Sequence, residues 1–149
     1  MNEDQKWMKI AIQEAKKAVN EGEVPVGAIL VKNGMIIAKA HNRPITKNDA
    51  TAHAEILAIR KAGKKEKNYR LVGTTLYVTL EPCLMCLGAL INARIERIVF
   101  GAKNTKNGFC GSLVDMTNDS QFNHRPIVTG GILEKQCQEI LRSFFRLRR

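Results

Sequence analysis

Cys83 and Cys86 stand on either side of Leu84-Met85, directly behind Pro82, and His53-Ala54-Glu55 lies upstream. A Cys-x-x-Cys pair in a chain without a secretory segment points to metal or redox chemistry before a structural disulfide. The redox reading needs only an exposed pair, whereas the metal reading needs further ligands at a distance. His53 supplies one. An imidazole and two thiolates suit zinc, and three protein ligands leave a fourth position for water, as catalytic zinc sites do. Glu55 follows His53 at the start of an apolar-periodic run. Two residues apart on a helix places them about 200° apart around the axis, so they cannot chelate one ion from one face. Both can point past the helix start, His53 at a metal and Glu55 at its water, which makes Glu55 a proton carrier. Two thiolates cancel the charge of zinc and weaken it as an acidifier of water, so a neighbouring carboxylate is needed.

The elements that position these residues read off the chain in order. Met8, Ile12, Ala15 and Val19 recur at helical spacing between Glu3 and Glu21, and Gly22 is a helix stop. Val24 to Val31 and Met35 to Ala40 are β-branched runs joined at Asn33-Gly34, which predicts a hairpin. Residues 41–50 read as a loop with Thr51 as helix cap. A helix carrying Ile56, Leu57, Ile59 and Ala62 follows, ending near Gly63. Lys61 to Arg70 reads as a basic surface loop. Thr75 to Leu80 predicts a strand, Cys83 to Ala93 a helix whose positive end favours thiolates, and Ile95 to Phe100 another strand. A loop spans Gly101 to Gly111, with a short helix expected at Ser112 to Met116 and a short strand at Ile127-Val128. Leu133, Cys137, Ile140, Leu141 and Phe144 then mark a last helix. Strands alternating with helices after an opening hairpin imply an α/β protein with a mostly parallel layered sheet.

The chain has 149 residues, 44% of them apolar, which suits one ordinary domain with a real core. No apolar run is long enough to span a membrane. Four cysteines without a signal peptide are expected in a reducing cytoplasm. Lys and Arg number 24 against 14 Asp and Glu, a formal charge of +10. That excess points to a polyanionic partner, with solubility as the bland alternative.

His-x-Glu followed by Pro-Cys-x-x-Cys is a known signature of the zinc nucleobase deaminases, and this chain matches it. The flanking segments narrow it. Val24-Pro25-Val26-Gly27-Ala28, Asn42-Arg43-Pro44, Thr51 to Glu55, Leu76 to Cys83, Phe122-Asn123-His124-Arg125 and the Phe-Phe-Arg ending resemble the bacterial tRNA-specific adenosine deaminases, of the cytidine-deaminase-like superfamily, almost end to end. The resemblance implies a three-layer α/β/α sandwich with a five-stranded mixed sheet, one zinc per chain and a homodimer. It implies deamination of adenosine to inosine at the wobble position of a tRNA anticodon, typically in an arginine tRNA, by zinc-activated water with Glu55 as proton shuttle. It also assigns Asn42 to base contact, the Ala54 backbone to the base pocket, and Phe144, Phe145 and Arg146 to the anticodon loop. Asn104 stands where many relatives carry aspartate, in the loop that runs beside the RNA, and Lys103 and Lys106 flank it, where phosphate contact is one open reading. Phe109-Cys110 replaces small residues common in the family.

Two readings of other classes compete. A structural zinc knuckle would take Cys110, from a flexible loop, or Cys137, from an apolar helix face, as fourth ligand and bind RNA without catalysis. It leaves Glu55 and the Pro82 turn without a role. A small-molecule deaminase, acting on a free guanine, cytosine or deoxycytidylate, would share the zinc motif. The charge and the aromatic–arginine tail argue against it.

Overall fold

The computed structural model of the chain describes residues 1–148. Helix α1 (Glu3–Asn20) opens on a capping box. The Asn2 side chain accepts the Gln5 N–H at 2.9 Å, and the Gln5 side chain accepts the Asn2 N–H at 3.2 Å. Two donors that a helix start leaves free are thereby satisfied. Strands β1 (Gly27–Lys32) and β2 (Met35–His41) form the predicted antiparallel hairpin. Asn33 and Gly34 sit at φ 52° and 72° in its turn, the left-handed pair that two-residue hairpins favour. The ladder starts at Gly27 and not at Val24, because Pro25 has no N–H to give it and the Val26 N–H closes locally on the Val24 carbonyl at 2.9 Å.

Residues 44–47, predicted as loop, wind into the single turn α2 (Pro44–Lys47). Pro44 presets a helical φ. The buried Glu23 carboxylate accepts the N–H groups of Ile45 and Thr46, at 3.3 and 2.6 Å, and the Thr46 hydroxyl at 2.7 Å. Helix α3 (Ala54–Glu66) runs past Gly63, so the first half of the stretch from Lys61 to Arg70 is helical and only the rest is loop. Thr51 does not cap it: its hydroxyl is taken by Asp49 at 2.7 Å, and His53 holds the cap position.

Strand β3 (Thr74–Leu80), helix α4 (Leu84–Asn92), strands β4 (Arg97–Ala102) and β5 (Ile127–Thr129) and helix α5 (Glu134–Arg146) complete the chain. The sheet order is β2-β1-β3-β4-β5, with β1 antiparallel to β2 and β3, and the other pairs parallel. This is the five-stranded mixed sheet implied by the resemblance. Alternation along the strands builds two cores. Ala28, Leu30, Leu76, Val78, Ile98 and Phe100 pack under α3 and α4, while Ile29, Val31, Tyr77 and Val99 pack under α1 and α5. Trp7 belongs to the second core, and so does Cys137, as a small buried thiol. At Gly27 an added Cβ would collide with the α1 backbone at Ala11 and Ala15, so α1 lies directly on β1.

Two side-chain ties close the fold. Asp4 accepts both Arg97 guanidinium N–H groups, at 2.8 and 2.7 Å, and the Tyr77 hydroxyl at 2.9 Å. On the outer edge of β2 the Lys61 ammonium donates to the Lys39 carbonyl at 2.7 Å. Ser112 to Met116, predicted as helix, is a turn beside an antiparallel Cys110–Asp115 bridge. The N–H groups of Cys110 and Ser112 go to the Glu81 carboxylate, not to helical carbonyls.

Candidate active site

Three element ends meet above the α3–α4 layer. The end of β2 brings Asn42, the start of α3 brings His53 and Glu55, and the turn from β3 into α4 brings Cys83 and Cys86. His53 and Cys83 are the cap residues of α3 and α4, so both side chains stand free of their helices. The His53 Nδ1 lies 3.7 Å from the Cys83 Sγ and 3.5 Å from the Cys86 Sγ, and the three ligand atoms lie within 4.8 Å of one another. A tetrahedron with zinc–nitrogen and zinc–sulfur bonds of ordinary length has edges of about 3.4–3.8 Å. The two histidine–thiol separations are edges of that size, so the donor set fits zinc by type and by spacing. Among the described residues no fourth Cys, His or carboxylate joins this group.

The neighbouring Cys86 thiol pulls the Cys83 pKa down, aided by the His53 ring against burial, and Cys83 pushes Cys86 up. Cys83 in turn raises the His53 pKa, against burial. Glu55 is buried, and that burial pushes its carboxyl up to about 7, with the Cys83 charge adding and His53 opposing. A carboxyl titrating there can both accept and return a proton near neutral pH.

The site opens into a cavity of about 610 Å³ lined by Asn42, His53, Glu55, Cys83 and Asn104, together with Glu81, Asn107 and Phe109. The Asn42 side-chain oxygen accepts the Ala54 N–H at 2.8 Å.

A family model for the cytidine and deoxycytidylate deaminase zinc-binding region matches residues 1–102. The tRNA-specific adenosine deaminase of Bacillus subtilis (strain 168) is 51% identical over 146 residues, 98% of this chain and 91% of that protein. The Haemophilus influenzae protein of that name is 48% identical over 98% of this chain and 85% of its own length. A solved structure from a study of A-to-I editing by tRNA:A34 deaminases at the wobble position has a TM-score of 0.87 at 45% identity, covering 90% of this chain and 97% of that one. The chain belongs to the tRNA-specific adenosine deaminases. It is a zinc-dependent hydrolytic deaminase of the cytidine and deoxycytidylate deaminase group.

Around the metal set of this deaminase, the remaining sequence candidates fall into two places. Asn104 lines the cavity, and Lys106 is exposed on the same loop. Phe144, Phe145 and Arg146 lie on α5, across the sheet from α3 and α4, and none of them lines the cavity. Phe144 is 5% exposed, with the Phe145 ring edge-on at 5.4 Å and the Arg148 guanidinium over its face at 3.6 Å. Phe145, 48% exposed, and Arg146 are the outward groups of this tail, and Arg149 lies outside the described residues.

Cys110 corrects its expectation: it is buried in the α3–α4 core rather than in a flexible loop, and it stands outside the metal set. Its loop is held by a residue that sequence reading missed. Glu81, 1% exposed, accepts the N–H of Asn104 at 3.2 Å, those of Cys110 and Ser112 at 3.0 Å each, and the Ser112 hydroxyl. A Cβ on Gly108 would strike this carboxyl group and the Asn104 carbonyl. The usable signal was an acidic residue at a strand end, directly before the Pro-Cys turn, with glycines in the facing loop.

Proposed function

We infer that this deaminase converts adenosine to inosine at the wobble position of a tRNA anticodon, with residues 1–149 acting as one catalytic unit. The observation that carries the reading is the convergence of His53, Cys83, Cys86 and Glu55 on one cavity, in a chain about half identical to tRNA-specific adenosine deaminases over nearly its whole length. Bound zinc would supply an acidified water as the attacking group. Glu55, buried and lining the cavity beside the metal set, would take a proton from that water and pass it to ring N1, then pass the second to the amine; the C6–O bond of inosine replaces the C6–N bond as ammonia leaves. Asn42 turns its NH2 group to the nucleoside, because its oxygen is held by Ala54. Asn104 and Lys106 face the RNA beside the cavity, and Phe145 and Arg146 hold the anticodon loop farther out. A loop nucleotide suits such a cavity because it leaves its stack at low cost.

The family resemblance further supports an arginine tRNA as substrate, a homodimer and a cytoplasmic site of action. Among the described residues no helix is long and apolar enough to cross a membrane. The test is incubation of zinc-loaded protein with a bulk bacterial tRNA pool, followed by sequencing for adenosine read as guanosine. A parallel assay compares an anticodon stem-loop with free adenosine, cytosine and guanine. Inosine at one wobble position, made faster on the stem-loop than on any free base or nucleoside, is the expected result. Faster turnover of a free base would replace this reading with a small-molecule deaminase.

A further inference from the structure

Next to the zinc cavity lies a second, smaller one of about 300 Å³, walled by His41, Arg43, Lys47, Arg60, Lys61 and Lys64 and floored by Ala40 and Leu57. No acidic residue lines it. The two cavities share one stretch of backbone. Asn42 and Pro44 line the zinc cavity, while His41 and Arg43, alternating with them, line the basic cleft. Part of the positive charge is already answered. Glu21 holds His41 at 2.9 Å and Arg43 at 3.1 Å, Asp49 lies 3.5 Å from Arg60, and Lys61 is spent on the Lys39 carbonyl. Lys47 and Lys64 have no ion-pair or hydrogen-bond partner among the described residues. The negative end of α3 accounts for Lys64 by itself, since cations favour a helix C-terminus. It does not account for Lys47, which reaches the same cleft from α2 without an acidic partner, beside an Arg43 whose charge Glu21 already offsets.

The surroundings specify the kind of anion. Arg60 and Lys64 also line a shallow furrow on the far flank of α3 with Lys67, Asn68 and Tyr69. The Tyr69 ring is 73% exposed, and the Arg70 guanidinium sits 5.6 Å from its centroid. A track of cations leading to an open aromatic–arginine face is the surface on which single-stranded RNA runs its phosphates and stacks a base. A site for one small anion has no use for the track.

We propose that the Lys47–Lys64 cleft binds backbone phosphates of the RNA substrate next to the nucleotide held in the zinc cavity. The proposal rests on the RNA-editing reading above for the identity of the ligand. It concerns a surface separate from the α5 tail and the loop carrying Lys103 and Lys106.

The experiment measures binding of a labelled anticodon stem-loop to zinc-loaded protein over a range of salt concentrations, with inosine formation followed in parallel. Lys47→Gln/Lys64→Gln is compared with wild type, with Lys47→Arg/Lys64→Arg, and with Lys9→Gln/Lys16→Gln, which removes the same charge from exposed positions on α1. The cleft variant should bind about tenfold more weakly at near-physiological salt. Its plot of log affinity against log salt should be shallower by about 1.4, two phosphate contacts at roughly 0.7 each. KM should rise with kcat and zinc content unchanged, the arginine pair should restore binding, and the α1 control should keep the wild-type slope. A cleft variant that matches the α1 control in affinity and slope overturns the proposal. So does a variant that loses binding of inorganic phosphate, read by phosphorus NMR, while stem-loop affinity stays intact, because the cleft would then be a small-anion site. Failure of the RNA-editing reading would show separately, as absence of inosine with wild-type protein, since the binding comparison requires no turnover.

Discussion

The Asn42 side-chain oxygen lies 2.8 Å from the Ala54 backbone nitrogen and accepts its N–H. This bond joins the end of β2 to the first turn of α3, and it assigns the amide: the oxygen is taken by the helix start, which leaves the NH2 group of this cavity-lining residue to donate. Asn42→Ala should therefore lower stability by about 1 kcal/mol and reduce kcat/KM roughly a hundredfold, as loss of a well-placed donor does. Asn42→Asp keeps the acceptor and loses the donor, so its melting temperature should return while activity does not. Full activity in the aspartate variant would remove the donor role.

Metal and proton transfer should separate by mutation. Cys83→Ala or Cys86→Ala should lose zinc and activity together, whereas Cys110→Ser should keep the metal because its thiol is core and not ligand. Glu55→Ala should hold about one zinc per chain, since the carboxylate is outside the donor set, yet turn over about 10²–10⁴-fold more slowly. Elemental analysis of each purified variant, beside its rate, makes the distinction; a metal-free Cys110→Ser protein would reinstate the closed knuckle.

Glu81 ties the loop that walls the cavity to the turn that carries Cys83. Glu81→Gln puts an NH2 donor among three N–H groups and should cost about 1–3 kcal/mol in denaturant unfolding. Zinc should stay, because no ligand is altered, while KM for the stem-loop rises as Asn104 loses its anchor. An unchanged KM in a zinc-loaded, folded variant would confine Glu81 to stability alone.

The paired aromatics of α5 should part company. Phe144→Ala should destabilise the fold by about 3–5 kcal/mol as a buried ring is lost. Phe145→Ala should change stability by less than about 0.5 kcal/mol and weaken stem-loop binding by about 1–3 kcal/mol if a base stacks there. Equal KM values for wild type and Phe145→Ala would take the tail out of RNA binding. Truncating the whole tail would confuse the two effects.

What could be read in the sequence was what local spacing decides. The hairpin at Asn33-Gly34, the α1 stripe and the His53–Cys83–Cys86 set each follow from residue types at fixed intervals. The misses depend on partners distant in the chain. The α2 turn exists because Glu23 takes its free donors, and the 112–116 turn because Glu81 draws N–H groups away from a helix. Periodicity also separated the two rings of the tail, since Phe144 continues the apolar stripe of the last helix and is buried while Phe145 falls off it and is exposed.

Asp4 gives the fold an acid limit. The Arg97 guanidinium, helped by the Tyr77 hydroxyl and the charge of Arg97 against partial burial, holds the Asp4 carboxyl below its ordinary value of 3.8. A depressed carboxyl stabilises the fold fully above the unfolded value and loses that contribution as pH falls through the folded one. Asp4→Asn should thus be less stable than wild type by about 1–3 kcal/mol at neutral pH, and the gap should shrink below about pH 4. Urea unfolding at several pH values checks this; a gap of equal size at pH 3 and pH 7 would exclude the ion pair as its source.

The Lys61 ammonium on the Lys39 carbonyl sits where another molecule would add a strand. β2 ends the sheet, and an uncovered edge offers its N–H and C=O groups to any passing extended chain. At Lys39 the acceptor is already taken, and by a cation whose return to water is needed before a neighbour can bond there. The shift in register between Leu30 and Val31 twists the same hairpin away from a flat template. Together these features keep the edge strand from pairing with another extended chain.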